Sequence, residues 1–177
     1  MDKLALFPLA ALLAGALPAC AASGWDAVIA ASQKVLRVPA HLYMTETAGF
    51  NGGKTRNAET IYLNGTMYTS LNGVWRKSPM TVQELADARK DNAKELGACT
   101  MVHDEMVGVE PATLYKVHTQ TPDDTVDTQI WISKLRGLPL KQLSDLDVGG
   151  ARGKSHTEIR YEYTGVNAPA VTETTHK

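Results

Sequence analysis

The sequence predicts an α+β protein: a single curved antiparallel sheet, a half-barrel of about eight strands, with an N-terminal helix and one inserted helix. Three observations predict it. Asn64-Gly65 and Asn72-Gly73 each interrupt segments of alternating polarity, and both residue types tolerate the positive φ angles of a two-residue hairpin turn. Beyond Cys99, five such segments (101–109, 112–119, 126–133, 138–146 and 157–166) are joined by short polar, Gly- or Pro-containing links, too short for anything but antiparallel neighbours. Helical periodicity is confined to two stretches, near residues 25–36 and 81–96.

The elements follow in order. Residues 1–22 read as an export signal, with Lys3, an apolar run over 4–17 and small residues around Cys20. The run is shorter than the roughly 20 residues a membrane-spanning helix needs. Two processing routes are open. Cleavage after Ala21 or Ala22 would release a periplasmic protein, whereas Leu17-Pro18-Ala19-Cys20 has the outline of a lipoprotein box whose Cys20 would be acylated, giving a membrane-anchored lipoprotein facing the periplasm. In the first helix Val28, Ile29, Ser32, Val35 and Leu36 share a face, and Pro39 stops it. From His41 the period becomes two. Strands 58–63 and 66–71 and the short Val74-Trp75-Arg76 follow. Thr81 and Glu84 form a capping box for the inserted helix, with Gly97 as its C-cap and a thin apolar face of Val82, Leu85, Ala86, Ala93 and Leu96. Residues 23–167 make one half-barrel domain, and 168–177 a flexible polar tail.

Composition narrows the function classes. With 18 Lys and Arg against 19 Asp and Glu, and no basic cluster, nucleic acid is not an expected partner. No later segment suggests a transmembrane span. The two cysteines, Cys20 and Cys99, give neither CxxC nor zinc spacing, and Cys99 is expected to be buried as a small apolar residue. Neither a GxSxG elbow, an HExxH helix nor a phosphate loop is present, and the stretch 149–153 lies between strands, where it is a hairpin loop. His103-Asp104-Glu105 with His118 is the nearest approach to a metal or hydrolase site. In a strand, however, His103 and Glu105 point one way and Asp104 the other. No catalytic residue, metal or cofactor is therefore expected; a hydrolase would need His103, Glu105 and His118 to converge.

Alternation assigns the faces. Val126, Thr128, Ile130 and Ile132 oppose Asp127, Gln129, Trp131 and Ser133, while Ile159, Tyr161 and Tyr163 oppose Glu158, Arg160 and Glu162. Two short helices leave part of such an apolar face to be covered. The leading expectation is a non-catalytic envelope protein that binds a lipid, an acylated protein or another hydrophobic ligand on the concave face. Ile130, Ile132, Tyr161 and Tyr163 form the wall, with Val82 and Leu85 on the partial lid. The alternative is a protein-interaction or sensor module with a fully packed core, recognisable by an exposed apolar patch. Trp75 and Trp131 suit either a ligand entrance or packing at a sheet rim, and Met67, Met80, Met101 and Met106 either an adaptable surface or core filling.

The 25–36 helix leading into 41–47, the Tyr62-Leu63-Asn64-Gly65 and 68–75 hairpins, and Ile130-Trp131-Ile132-Ser133 with Gly137-Leu138-Pro139-Leu140-Lys141 form a layout that resembles the periplasmic lipoprotein-carrier superfamily of the outer-membrane lipoprotein sorting type. That resemblance implies a curved sheet with helices on its concave face and the sheltering of acyl chains, lipoproteins or hydrophobic peptides. It specifies no ligand residues.

Overall fold

The computed structural model describes residues 24–49, 53–92, 97–149 and 153–171. The export segment and Cys20 lie outside the described residues, as do 93–96 of the inserted helix and 172–177 of the tail.

The chain runs α1 (Gly24–Val35), β1 (Ala40–Ala48), β2 (Lys54–Leu63), β3 (Thr66–Leu71), β4 (Val74–Lys77), α2 (Val82–Asn92), β5 (Ala98–Val107), β6 (Glu110–Gln120), β7 (Thr125–Ser133), β8 (Pro139–Asp147) and β9 (Lys154–Glu162). The strands form one open, curved antiparallel sheet in the order β4-β3-β2-β1-β9-β8-β7-β6-β5. Nine strands form, in keeping with the expected half-barrel of about eight, and the short Val74–Lys77 pairs with β3 at one edge. Both Asn-Gly turns form as the residue types dictate, with φ of 50° and 74° at Asn64 and Gly65, and 52° and 82° at Asn72 and Gly73. β9 lies between β1 and β8, joining the meander β1 to β4 to the meander β5 to β8.

Gly97 departs from its expected role. It is not among the positive-φ glycines, so it is not a left-handed cap. It is glycine because a Cβ there would stand 2.0 Å from the His118 carbonyl oxygen. The backbone passes flush against β6 at that point, and the Trp25 indole N-H donates to the Gly97 carbonyl at 2.7 Å. Gly24 makes a similar approach to Cys99, which lies in β5, half-buried as a free thiol, where burial raises its pKa.

Both helices lie on one face of the sheet, the inner face. α1 packs Val28 and Ala31 on Ile132, with Trp25, Cys99, Tyr115 and Ile130 around them. Its end carries Val35 and Leu36 into a second cluster with Ala40, Tyr62, Leu138 and Val82 of α2. The third cluster overturns an expectation. Trp131, assigned to the wet face by alternation, is only 9% exposed. It packs with Ala112, Leu114 and Leu140 on the side away from the helices. A register shift beside Trp131 brings Leu140 in, and the Lys141 ammonium sits 5.8 Å from the indole centroid, so apolar contact and a cation cover the ring. The sheet is thus packed on both faces around β6, β7 and β8.

Candidate ligand-binding face

The six predicted contact residues divide between two helix seats. Ile130 and Ile132 lie beneath α1, with Ile132 7% exposed. Tyr161, Tyr163, Val82 and Leu85 belong to the cluster where the end of α1 meets α2. The rings of Tyr161 and Tyr163 stack at 6.5 Å, and the Tyr163 hydroxyl donates to the Pro139 carbonyl. Burial pushes the Tyr163 phenol well above its ordinary range, and the Arg136 guanidinium lies 5.0 Å from its ring centroid. These groups are engaged in seating the helices.

The inner face has a further band that belongs to none of the three core clusters. Register places Met44 against Ile159 and Val126 against Leu146, all four half-buried. The Met44 row continues through Ala58 and Leu71 to Val74, whose exposure reaches 47% at Leu71 and 49% at Val74. Polar residues are interleaved with it. Thr128 and Ser144 share a hydrogen bond of 3.0 Å, Gln142 donates to Ser144 at 3.2 Å, and Thr157 lies in register beside Ser144. The band is a mosaic: alkyl side chains flanked by a hydroxyl and amide strip. Alternation along single strands marked Val126 and Ile159 as apolar-face residues, but the row they form with Met44 and Leu146 depends on register across strands that only the fold supplies.

α2 borders this face lightly. Thr81 and Glu84 form the predicted box, with the Glu84 N-H donating to Thr81 Oγ1 at 3.2 Å and the Thr81 N-H to Glu84 Oε2 at 2.7 Å. The Thr81 N-H, followed by the Thr81 hydroxyl, which also donates to Glu84 Oε2, holds the Glu84 carboxyl below its usual range. Between the first turn of α2, the end of α1 and the β2–β3 turn lies an open groove of about 350 Å³, lined by Leu36, Val38, Pro39, Leu63 and Val82 with Arg37 at its side.

The polar cluster behaves as its strand geometry requires. His103 and Glu105 share the outer face, 3.5 Å apart, and the Trp131 indole N-H donates to Glu105, lowering its pKa. Asp104 points to the other face, where the Lys134 ammonium and the Thr113 hydroxyl hold its carboxyl below the usual range. His118 lies towards the opposite end of the β5–β6 pair, opposite Ala98 whereas His103 is opposite Leu114. The three groups therefore do not converge. His118 instead meets Asp127 at 2.7 Å and His156 meets Asp145 at 2.7 Å, forming a cross-strand row His118-Asp127-Asp145-His156 that single-strand reading missed. Among the described residues no set of three metal-ligating side chains is gathered.

Trp75 is half-buried at the β4 edge, its ring edge-on to His41 at 5.8 Å; His41 stacks on Tyr43 at 4.0 Å and meets Glu59 at 2.7 Å. Met67 packs in the inner cluster, whereas Met80, Met101 and Met106 are exposed.

No family model and no curated protein matches the sequence. Solved structures similar to it include MucB in complex with MucA(peri), at 15% identity and a TM-score of 0.48, over 84% of this chain and 57% of that one. The lipoprotein LppX of Mycobacterium tuberculosis is similar at 11% identity and 0.43, over 80% and 98%. A LolA superfamily protein, NE2245 of Nitrosomonas europaea, is similar at 8% and 0.32, over 80% and 92%. This chain thus spans less than two thirds of MucB. None of these likenesses transfers a ligand or a residue's role.

Proposed function

We propose that this is a non-catalytic cell-envelope protein that binds an amphiphile, a lipid or the acyl group of a lipidated protein, on the inner face of the sheet. The inner band carries the reading: Met44, Ile159, Val126 and Leu146 present half-buried alkyl surface that, among the described residues, belongs to none of the clusters seating the helices, beside hydrogen-bonding groups at Thr128, Gln142 and Ser144. An alkyl chain would lie on the first set and an ester, amide or glyceryl head would meet the second. Ile130, Ile132, Tyr161 and Tyr163 are then the floor on which the helices sit, with Val82 and Leu85 holding α2 at the border as a partial lid.

The export signal read in residues 1–22 supports an envelope location, with Cys20 either removed or acylated. Among the described residues no helix is long and apolar enough to cross a membrane. Intact mass of the protein recovered from its native host decides between cleavage and acylation. Native mass spectrometry of the same material is expected to show a co-purifying amphiphile that is lost when Ile159 and Leu146 are replaced by glutamate. Wild-type protein that is consistently empty and fails to take up a fluorescent fatty acid would reject the binding role.

A further inference from the structure

β5 is an edge of the sheet, and it is built unlike the opposite edge. β4 has 4 residues, ending in Arg76 and Lys77, whereas β5 has 10. An edge strand leaves alternate backbone N-H and C=O groups without a ladder partner, so a long one is a template for another strand. In β5 every residue from 100 to 106 is exposed, on both faces. Three of them are large and apolar: Met101 at 56%, Val102 at 40% and Met106 at 60%, with Val109 in the adjoining turn at 96%. β5 contains no proline, and its carboxylates, Asp104 and Glu105, are both of one sign.

We infer that β5 is a docking edge that takes an extended segment of a partner protein, added as a tenth strand and alternating apolar with basic side chains. Two features select that occupant over a second copy of this chain. Register places Met101, Asp104 and Met106 on the inner face, opposite Tyr115, Thr113 and Pro111, while His103 and Glu105 share the outer face. The incoming strand therefore meets apolar, acidic and apolar positions in turn on one side and an acidic one on the other. Two-fold pairing centred on Asp104 or Glu105 would set that carboxylate against its own copy, which is unfavourable. The irregularity at Val102 would also have to be accommodated in both copies at once, whereas an incoming segment of a partner meets it only once. Lys134 meets part of the Asp104 charge, so Glu105 is the principal electrostatic contact. The surface is distinct from the inner-face band and does not depend on the amphiphile reading.

The test uses the full mature protein and three capped decapeptides: alternating Val and Lys, alternating Val and Glu, and the Val-Lys peptide with two central prolines. Expected are saturable binding of the first, weaker binding of the others, and slowed amide exchange on alternate residues of β5. Met101→Lys with Met106→Lys is expected to weaken binding more than about tenfold, and Glu105→Gln, which keeps an acceptor for Trp131, about threefold. Met80→Lys, an exposed position just after β4 at the far edge, should leave it unchanged. Equal affinity for the Val-Glu peptide, protection elsewhere than β5, absence of binding, or a dimer that already protects β5 in the free protein would each overturn the assignment. Folding of the variants is checked by their thermal transitions, and the unmodified protein with the three peptides tests the proposal without them.

Discussion

At the scale of single residues, the connection between β7 and β8 concentrates the side-chain bonding. Glu110 accepts from Arg136 Nε at 2.8 Å and from Nη2 at 2.5 Å, and also from the buried Ser133 hydroxyl. Arg136 in turn covers Tyr163, and its carbonyl accepts from Lys34 of α1. One turn therefore ties β6, β7, the chain after β9 and the first helix together. The Arg136 guanidinium, followed by the Ser133 hydroxyl, holds the Glu110 carboxyl below its usual range against the opposing effect of burial. A carboxyl depressed in the folded state contributes stability that is complete above its unfolded pKa and is lost as pH falls through the folded one. Glu110→Gln is expected to cost about 1 kcal/mol at neutral pH, since the pair is partly solvated, and to flatten the acid limb of a urea stability profile. A variant that follows the wild-type acid limb would show that Glu110 does not shape it. Gly97→Ala is expected to be more severe, because backbone stands where its methyl would go; its loss of thermal stability should exceed that of Gly65→Ala, where space is open and only the φ of 74° is strained. The sequence made Gly65 legible through its turn signal. It misassigned Gly97, since a close approach between distant backbones leaves no local pattern.

At the scale of elements, the strands were readable because hairpin links are short and alternation is local, and the phrase from Ile130 to Lys141 indeed forms strand, turn and strand. Its meaning was not readable. Alternation sorts residues into two faces but does not say that both will be covered: it places Trp131 on the polar face with Gln129 and Asp127, where rim packing and a ligand entrance both suit it. Its burial depends on Leu114 of β6 and Leu140 of β8, brought together by register. Trp131→Ala is expected to destabilise by about 3 kcal/mol, measured by chemical denaturation; a loss comparable to that of an exposed residue would contradict an outer core. The predicted wall was divided for a similar reason: which strand residues lie under α1 is set by where the helix crosses. The two helices should also differ in persistence. α1 inserts Val28, Ala31 and Val35, whereas α2 is held through Val82, with Leu85 and Ala86 half-buried beside it. Val82→Asp is therefore expected to release α2 to rapid amide exchange while the protection of β6, β7 and β8 is retained. Loss of protection throughout the sheet would instead make α2 part of the global core.

At the scale of the molecule, the sheet is double-sided over β6 to β8, and its inner band of Met44, Ile159, Val126 and Leu146 lies outside the core clusters. Ligand uptake should accordingly perturb β1, β7, β8 and β9 in amide spectra and leave Trp131 in its environment; a shift confined to Trp131 would point to the outer face instead. The position of β9 carries a different consequence, for the order of assembly. Each meander, β1 to β4 and β5 to β8, can pair from neighbours in sequence, but the two have no shared ladder until the last strand arrives between them. β9 is the seam. A chain halted before residue 154 would own two half-sheets, each offering a bare flank at β1 and β8, and would be expected to aggregate rather than fold. β9, which follows the other described strands in sequence, thus decides when the halves become one sheet, and pairing β1 with β9 closes a long loop containing all the other strands, which predicts slow folding.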